Sequence, residues 1–294
     1  MGNTAGIFQV STESIYMLFM ALGLYFLRQY FKTNFFWQLS LALSFFITSC
    51  LIKPGSIFLA IILTLFFGIK ILKKYQSKAI YFIYGSWLLV LMQCAGLKYQ
   101  FGNFTISYID AITYYCYLGA KAEAIETNQD FEKVWLERTH FIYNQDPPIS
   151  KIMAKEDLIE QWQTNKINLG KAYFLNLLEN ASTGSTPIQD CKNITNKKYF
   201  IVSKKVLLGI SVWQNIIFSI VAIFLATYLL LACYKSDPYY SIVSFFILYT
   251  IFSSGISCSE GDRFNVITFP FVLILMAKCF SKKSTEAAKI YTVR

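Results

Sequence analysis

The chain has 294 residues, 55% of them hydrophobic and only 15% charged, with a formal charge of +10. A water-soluble domain carries about a quarter charged residues, whereas the apolar residues here fall in nearly charge-free blocks of roughly 16 to 26, the length of membrane-spanning helices. No basic stripe interleaved with aromatics is present, which argues against a nucleic-acid partner, and the 27 Phe and 20 Tyr suit lipid contact and interfacial belts.

Residues 1–11 carry no Lys or Arg, so they do not read as a signal peptide. The first apolar block predicts a helix over about 12–31, with Ser11 or Thr12 as N-cap, ending at Arg28 and Lys32. A second helix is expected over 35–52, stopped by Lys53-Pro54-Gly55. A third covers 56–72 and leads into a basic cluster of Lys70, Lys73, Lys74 and Lys78, and a fourth covers 79–97. Residues 98–206 are too polar to cross a bilayer. Within them, 108–126 and 155–180 have helical spacing, the latter through Leu158, Trp162, Leu169, Tyr173 and Leu177. Asp146-Pro147-Pro148 separates the two, and 181–198 reads as a loop. Three more helices are expected over 206–232, 240–256 and 264–280, then a basic tail.

The fold class is therefore an all-α integral membrane protein with about seven transmembrane helices and one long, largely helical loop. Residues 1–97 hold four helices, 98–206 the loop region, and 207–294 three helices and the tail. The loop region has thirteen basic against twelve acidic residues, while the rest has fourteen against five. Excess base beside apolar blocks marks the cytoplasmic side. The N-terminus and the long loop are then outside the cytoplasm, in a plasma or inner membrane.

The hairpin between the last two apolar blocks gathers Glu260, Asp262 and Arg263 around Gly261. Ionisable groups held at a membrane boundary pair with each other or meet a ligand. The planar fork of Arg263 suits a lipid-linked phosphate, and a neighbouring carboxylate can orient it or contact a sugar. The alternative is an internal ion pair. Lys53 lies on the same expected face and could add a second cation, or simply snorkel. Asp110, among Tyr108, Tyr114, Tyr115 and Tyr117, could bind sugar or, like Ser107, cap a helix. Asn103, Asn180 and Asn193 open glycosylation sequons. The seven cysteines contain no C-x-x-C pair, a Cys116–Cys191 disulfide is conceivable, and the single His140 does not indicate a metal site.

Thr12-Glu13-Ser14 opening a helix, Lys53-Pro54 between two short spans, a long outer loop, and Glu260-Gly-Asp-Arg263-Phe before a helix bearing Pro270 together resemble the polyprenol-dependent GT-C glycosyltransferases, of the protein O-mannosyltransferase and aminoarabinose-transferase type. The resemblance implies a membrane-embedded glycosyltransferase, or part of one, that takes a sugar from a polyprenyl-phosphate carrier on the outer face. It implies Arg263 and Lys53 as phosphate contacts and the lipid-linked sugar as donor substrate; a divalent metal is not indicated. The family's catalytic aspartate sits in a first outer loop that no residue here matches. A second chain could supply that part, or the protein could be a non-catalytic subunit or binder of lipid-linked glycans. The implied partners are membrane lipid and the lipid-linked donor.

Overall fold

A computed structural model describes residues 12–258 and 261–292, and among these every regular element is a helix. Four of the helices are long and apolar enough to cross a membrane: Ile80–Phe101, Lys198–Cys233, Pro238–Ile256 and Arg263–Phe280. Only 28% of the residues in the first of these windows are buried, and Leu88, Leu91 and Met92 point outward. In water that surface would be a large aggregation liability, whereas lipid tails cover it without cost.

The described residues divide into two compact units, one of residues 12–180 with 253–258 and one of 181–252 with 261–292. The first unit opens with α1 (Thr12–Thr33), α2 (Phe36–Thr48) and the broken pair α3 (Ile57–Phe66) and α4 (Gly68–Lys73), followed by α5 (Ile80–Phe101). Contacts at both ends of α1 fix the directions of its neighbours. At its start, Glu13 Oε1 lies 3.9 Å from Lys53 Nζ, in the turn between α2 and α3. Near its end, Lys70 of α4 sits 5.0 Å over the Tyr30 ring, and Thr33 Oγ1 donates to Gln38 of α2. So α1, α2 and α3–α4 alternate up, down and up over the same thickness. Midway, Gly23 lets the buried ring of Phe46 press against α1. A Cβ there would meet Phe46 Cε1 at 2.5 Å. Gly23→Ala is expected to lower thermal stability by about 1–3 kcal/mol through overpacking, despite its better helix propensity, and thermal unfolding in detergent measures it.

After α5 the chain builds a polar helical layer: α6 (Ile109–Thr113), a π-helical turn (Tyr114–Gly119), α7 (Ala120–Thr127), α8 (Phe131–Tyr143), α9 (Pro147–Thr164) and α10 (Lys166–Ser182). Its core is small: Ala111, Tyr114, Leu118, Ala122, Ala154, Leu169 and Ala172. Ser107, one of the two expected caps, accepts the Ile109 N–H at 3.1 Å, and Asp130 caps α8 through Glu132 and Lys133.

The expected single helix over 155–180 is two helices. Asn165 ends α9, and its amide donates to Glu126 Oε2 at 2.7 Å and to the Ala122 carbonyl at 3.4 Å. A polar side chain with partners across the layer interrupts a pattern that periodicity alone would continue. Asp146-Pro147-Pro148 starts α9, because proline fits the first turn of a helix. Cys116, buried, and Cys191, exposed, are both free thiols, so the conceivable disulfide between them is absent.

The second unit holds the short α11 (Thr186–Asp190), α12 (Lys198–Cys233), α13 (Pro238–Ser253) and α14 (Gly261–Thr292). α12 begins eight residues before the expected start. Its 36 residues are about 54 Å long at 1.5 Å per residue, well beyond a hydrocarbon core of about 30 Å. The extra turns persist because the preceding chain lies along them. Lys204 donates to the carbonyls of Gln189 and Cys191, Ser211 accepts the Ser185 N–H, and Asn215 donates to the Thr183 carbonyl at 2.6 Å. The expected 181–198 loop is thus partly helical and bonded to α12. α12 and α14 pack through Phe218 on Phe269 and Ser219 on Asn265. The α12–α13 turn meets the far part of α14, where Lys278 Nζ lies 3.0 Å from Asp237.

Candidate functional site

Lys53 is held by its backbone. Its N–H donates to the Ser49 carbonyl at 2.9 Å, and its own carbonyl accepts from Ser56 Oγ at 2.7 Å. Pro54 follows at the first position of a 3-10 turn, so the residue before it is extended and its side chain turns back toward α1. There the ammonium meets Glu13 at 3.9 Å and lies 5.8 Å from the centre of the Tyr16 ring. The lysine side chain is 30% exposed and the glutamate 7%. Glu13 also accepts from Thr12 Oγ1 at 3.3 Å. Among the described residues it is the only buried carboxylate. A buried carboxylate is expensive unless a cation pairs with it, and Lys53 supplies that cation.

Arg263 stands exposed in the first turn of α14, in the other unit. A cation in a first turn works against the helix dipole by roughly 0.3–1 kcal/mol, so helix stability does not account for it. Glu260 lies outside the described residues, and so do the side chains of Asp262 and Asp110. Of the expected set, Lys53 has therefore acquired a carboxylate partner that spacing did not offer, forty residues earlier in the chain.

A second polar cluster lies in the helical layer. Arg138 of α8 is buried, with Nη1 2.7 Å from Glu123 of α7 and Nη2 2.5 Å from Asp157 of α9. The Asp157 contact is an ion pair. The guanidinium carbon lies 3.9 Å over the Tyr115 ring. Gln161 donates to Gly119 O at 3.3 Å and to Asp157 Oδ2 at 3.1 Å. The wide π turn brings its backbone against these groups: a Cβ on Gly119 would lie 3.1 Å from Asp157 Oδ2. π turns recur at functional sites, but here the turn serves a closed ion-pair knot that ties four elements together.

Burial pulls the Arg138 pKa down, but Asp157, Tyr115 and Glu123 outweigh it and the net shift is upward, so the charge is locked on. Burial, then Asp157, pushes the Tyr114 hydroxyl well above its usual range, and burial raises Tyr115 and Cys116. A raised acid pKa leaves stability intact below the unfolded value. Stability should thus hold up to about pH 10 for the tyrosines and fall above it, as the unfolded state ionises first. An alkaline unfolding series read by tyrosinate absorbance checks this; Tyr114→Phe should flatten the fall.

Of the glycosylation sequons, Asn180 is buried and donates to the carbonyls of Ser254 and Ser257 at 2.8 and 2.9 Å, so it is a structural residue in the folded chain.

No family model, curated protein or solved structure matches this chain.

Proposed function

We propose that this chain is a seven-crossing membrane protein that holds the anionic head of a polyprenyl-phosphate-linked sugar at the end of its bundle where Lys53 lies. In this reading it transfers that sugar, or belongs to an assembly that does. The single observation that carries the reading is the Glu13–Lys53 pair at that end, with the ammonium still partly open to a ligand. An anionic phosphate gains from Lys53, while Glu13 fixes the ammonium in place and is the carboxylate nearest to hand as a base.

The topology has support from contacts within each unit. The Lys53 end of the first bundle is the end where α5 finishes, since α4 and α5 are joined by the short turn 74–79. That end carries few basic residues, whereas Arg28, Lys32, Lys70, Lys73 and Lys74 lie at the other. The preference of positive charge for cytoplasmic loops supports the reading that Lys53 and the helical layer lie outside the cytoplasm.

A second reading, a binder without chemistry, is favoured by one feature. Glu13 already faces the Lys53 ammonium at 3.9 Å, and a carboxylate beside a cation is a weaker base. Two measurements test these readings. Direct binding of polyprenyl phosphate should weaken roughly tenfold or more in Lys53→Ala, the loss of about 1.4 kcal/mol or more that a charge-assisted contact carries. It should be unchanged in Lys74→Ala, an exposed lysine at the opposite end. Equal affinities in Lys53→Ala and Lys74→Ala sink the site. Sugar release from a lipid-linked donor favours transfer; binding with no turnover favours the binder.

A further inference from the structure

α10 has two faces with different tasks. Leu169, Ala172, Asn176 and Asn180 are buried on one. Opposite them, Ile167, Lys171, Phe174 and Leu178 recur at helical spacing and are exposed, with Ile167, Phe174 and Leu178 each about two-thirds accessible. With Ile125 they line a shallow, almost wholly apolar groove of about 610 Å³, edged by Lys166 and Lys171. A greasy helix face of this kind in water demands an occupant.

The helix is fixed at a defined level. Asn176 Nδ2 donates to Gly255 O at 3.1 Å, and Asn180 Nδ2 donates to Ser254 O and Ser257 O. The Tyr173 ring lies so close to Gly255 that a Cβ there would come within 2.4 Å of Cε2. Ser254–Ile256 is the last turn of the apolar span Pro238–Ile256. α10 is therefore stapled to the place where a crossing ends, which is the height of the lipid headgroups.

We infer that α10 lies in the headgroup layer of an anionic bilayer, its Ile167–Phe174–Leu178 stripe dipped toward the acyl chains and Lys166 and Lys171 on lipid phosphates. An apolar stripe flanked by lysines is the composition of interfacial helices. The three carbonyl bonds from Asn176 and Asn180 set the depth. The inference rests on the crossing of Pro238–Ile256 proposed above, but not on any sugar donor.

The test places single nitroxide labels on the full chain in vesicles, in a Cys191→Ser/Cys279→Ser background. Labels at Phe174→Cys, Gln163→Cys and Leu88→Cys are compared for collision with oxygen and with a nickel chelate. In vesicles containing phosphatidylglycerol, the label at 174 should sit roughly 5–10 Å below the phosphates, the label at 163 should be aqueous, and the label at 88 deep. Lys166→Glu/Lys171→Glu should move the label at 174 toward water in those vesicles and not in phosphatidylcholine alone. An aqueous reading at 174, equal to 163, overturns the inference. So does shielding from both reagents, which would put protein on this face, or a depth indifferent to the lysines in both lipids. An aqueous label at 88 would instead fail the membrane-crossing reading itself.

Discussion

Arg138→Ala should be among the most damaging single substitutions in the helical layer. Removing the guanidinium strands Asp157, whose side chain is only 22% exposed, beside the Gly119 backbone. Breaking a buried pair by deleting one partner costs about 3–5 kcal/mol. Glu123 is 45% exposed and is rescued by water, so the lower end, about 3 kcal/mol, is the expected loss. The partners should rank accordingly: Asp157→Asn costs more than Glu123→Gln, which should cost under about 1 kcal/mol. Arg138→Lys should recover little, since one ammonium cannot meet two carboxylates and stack on Tyr115 together. Thermal unfolding of the detergent-solubilised protein gives the ranking. If Arg138→Ala and Glu123→Gln lose the same stability, the knot is not the fastener of the layer.

The second large effect is expected at the bundle end. Lys53→Ala leaves Glu13 buried without its cation, at a cost of about 2 kcal/mol or more. The partial exposure of Lys53 and the 3.9 Å separation keep it below a fully buried pair. Glu13→Gln/Lys53→Met should be more stable than Lys53→Ala alone, because both charges go together and a neutral amide needs only hydrogen bonds. The same double variant should lose polyprenyl-phosphate binding. Stability is then regained while ligand affinity is not, which a purely structural pair would not produce. If the double variant is no steadier than the single one, Glu13 does not depend on Lys53.

Gly255→Ala adds a third, smaller test of the stapled turn. The new methyl group would drive into the Tyr173 ring and loosen α10 from the span end. Proteolysis within 166–182 should accelerate in that variant while the apolar spans stay protected.

Much of the helical plan was legible in the residues. Charge-free apolar runs cannot be satisfied in water, so the blocks at 12–31, 35–52, 56–72 and 79–97 read as helices, and helices stand there. Lys53-Pro54-Gly55 stops a helix for covalent reasons, and it does so here. Ends were less legible. α12 runs two turns past its apolar block because residues 183–191 bond along it, and Asn165 breaks a helical pattern because its partners lie about forty residues away. Such bonds leave no trace in local periodicity.

The chain of residues by itself determined where apolar surface must be hidden in lipid and which ends carry excess positive charge, since both follow from transfer energies that act residue by residue. The tertiary structure alone decided which charges meet. Arg138 reads locally as one more polar position on a helix, and Glu13 as a first-turn acid. Only the folding of α7, α9 and the π turn around the one, and of the α2–α3 turn over the other, turns them into a fastener and a paired carboxylate, because a charge finds its partner through space and not along the chain.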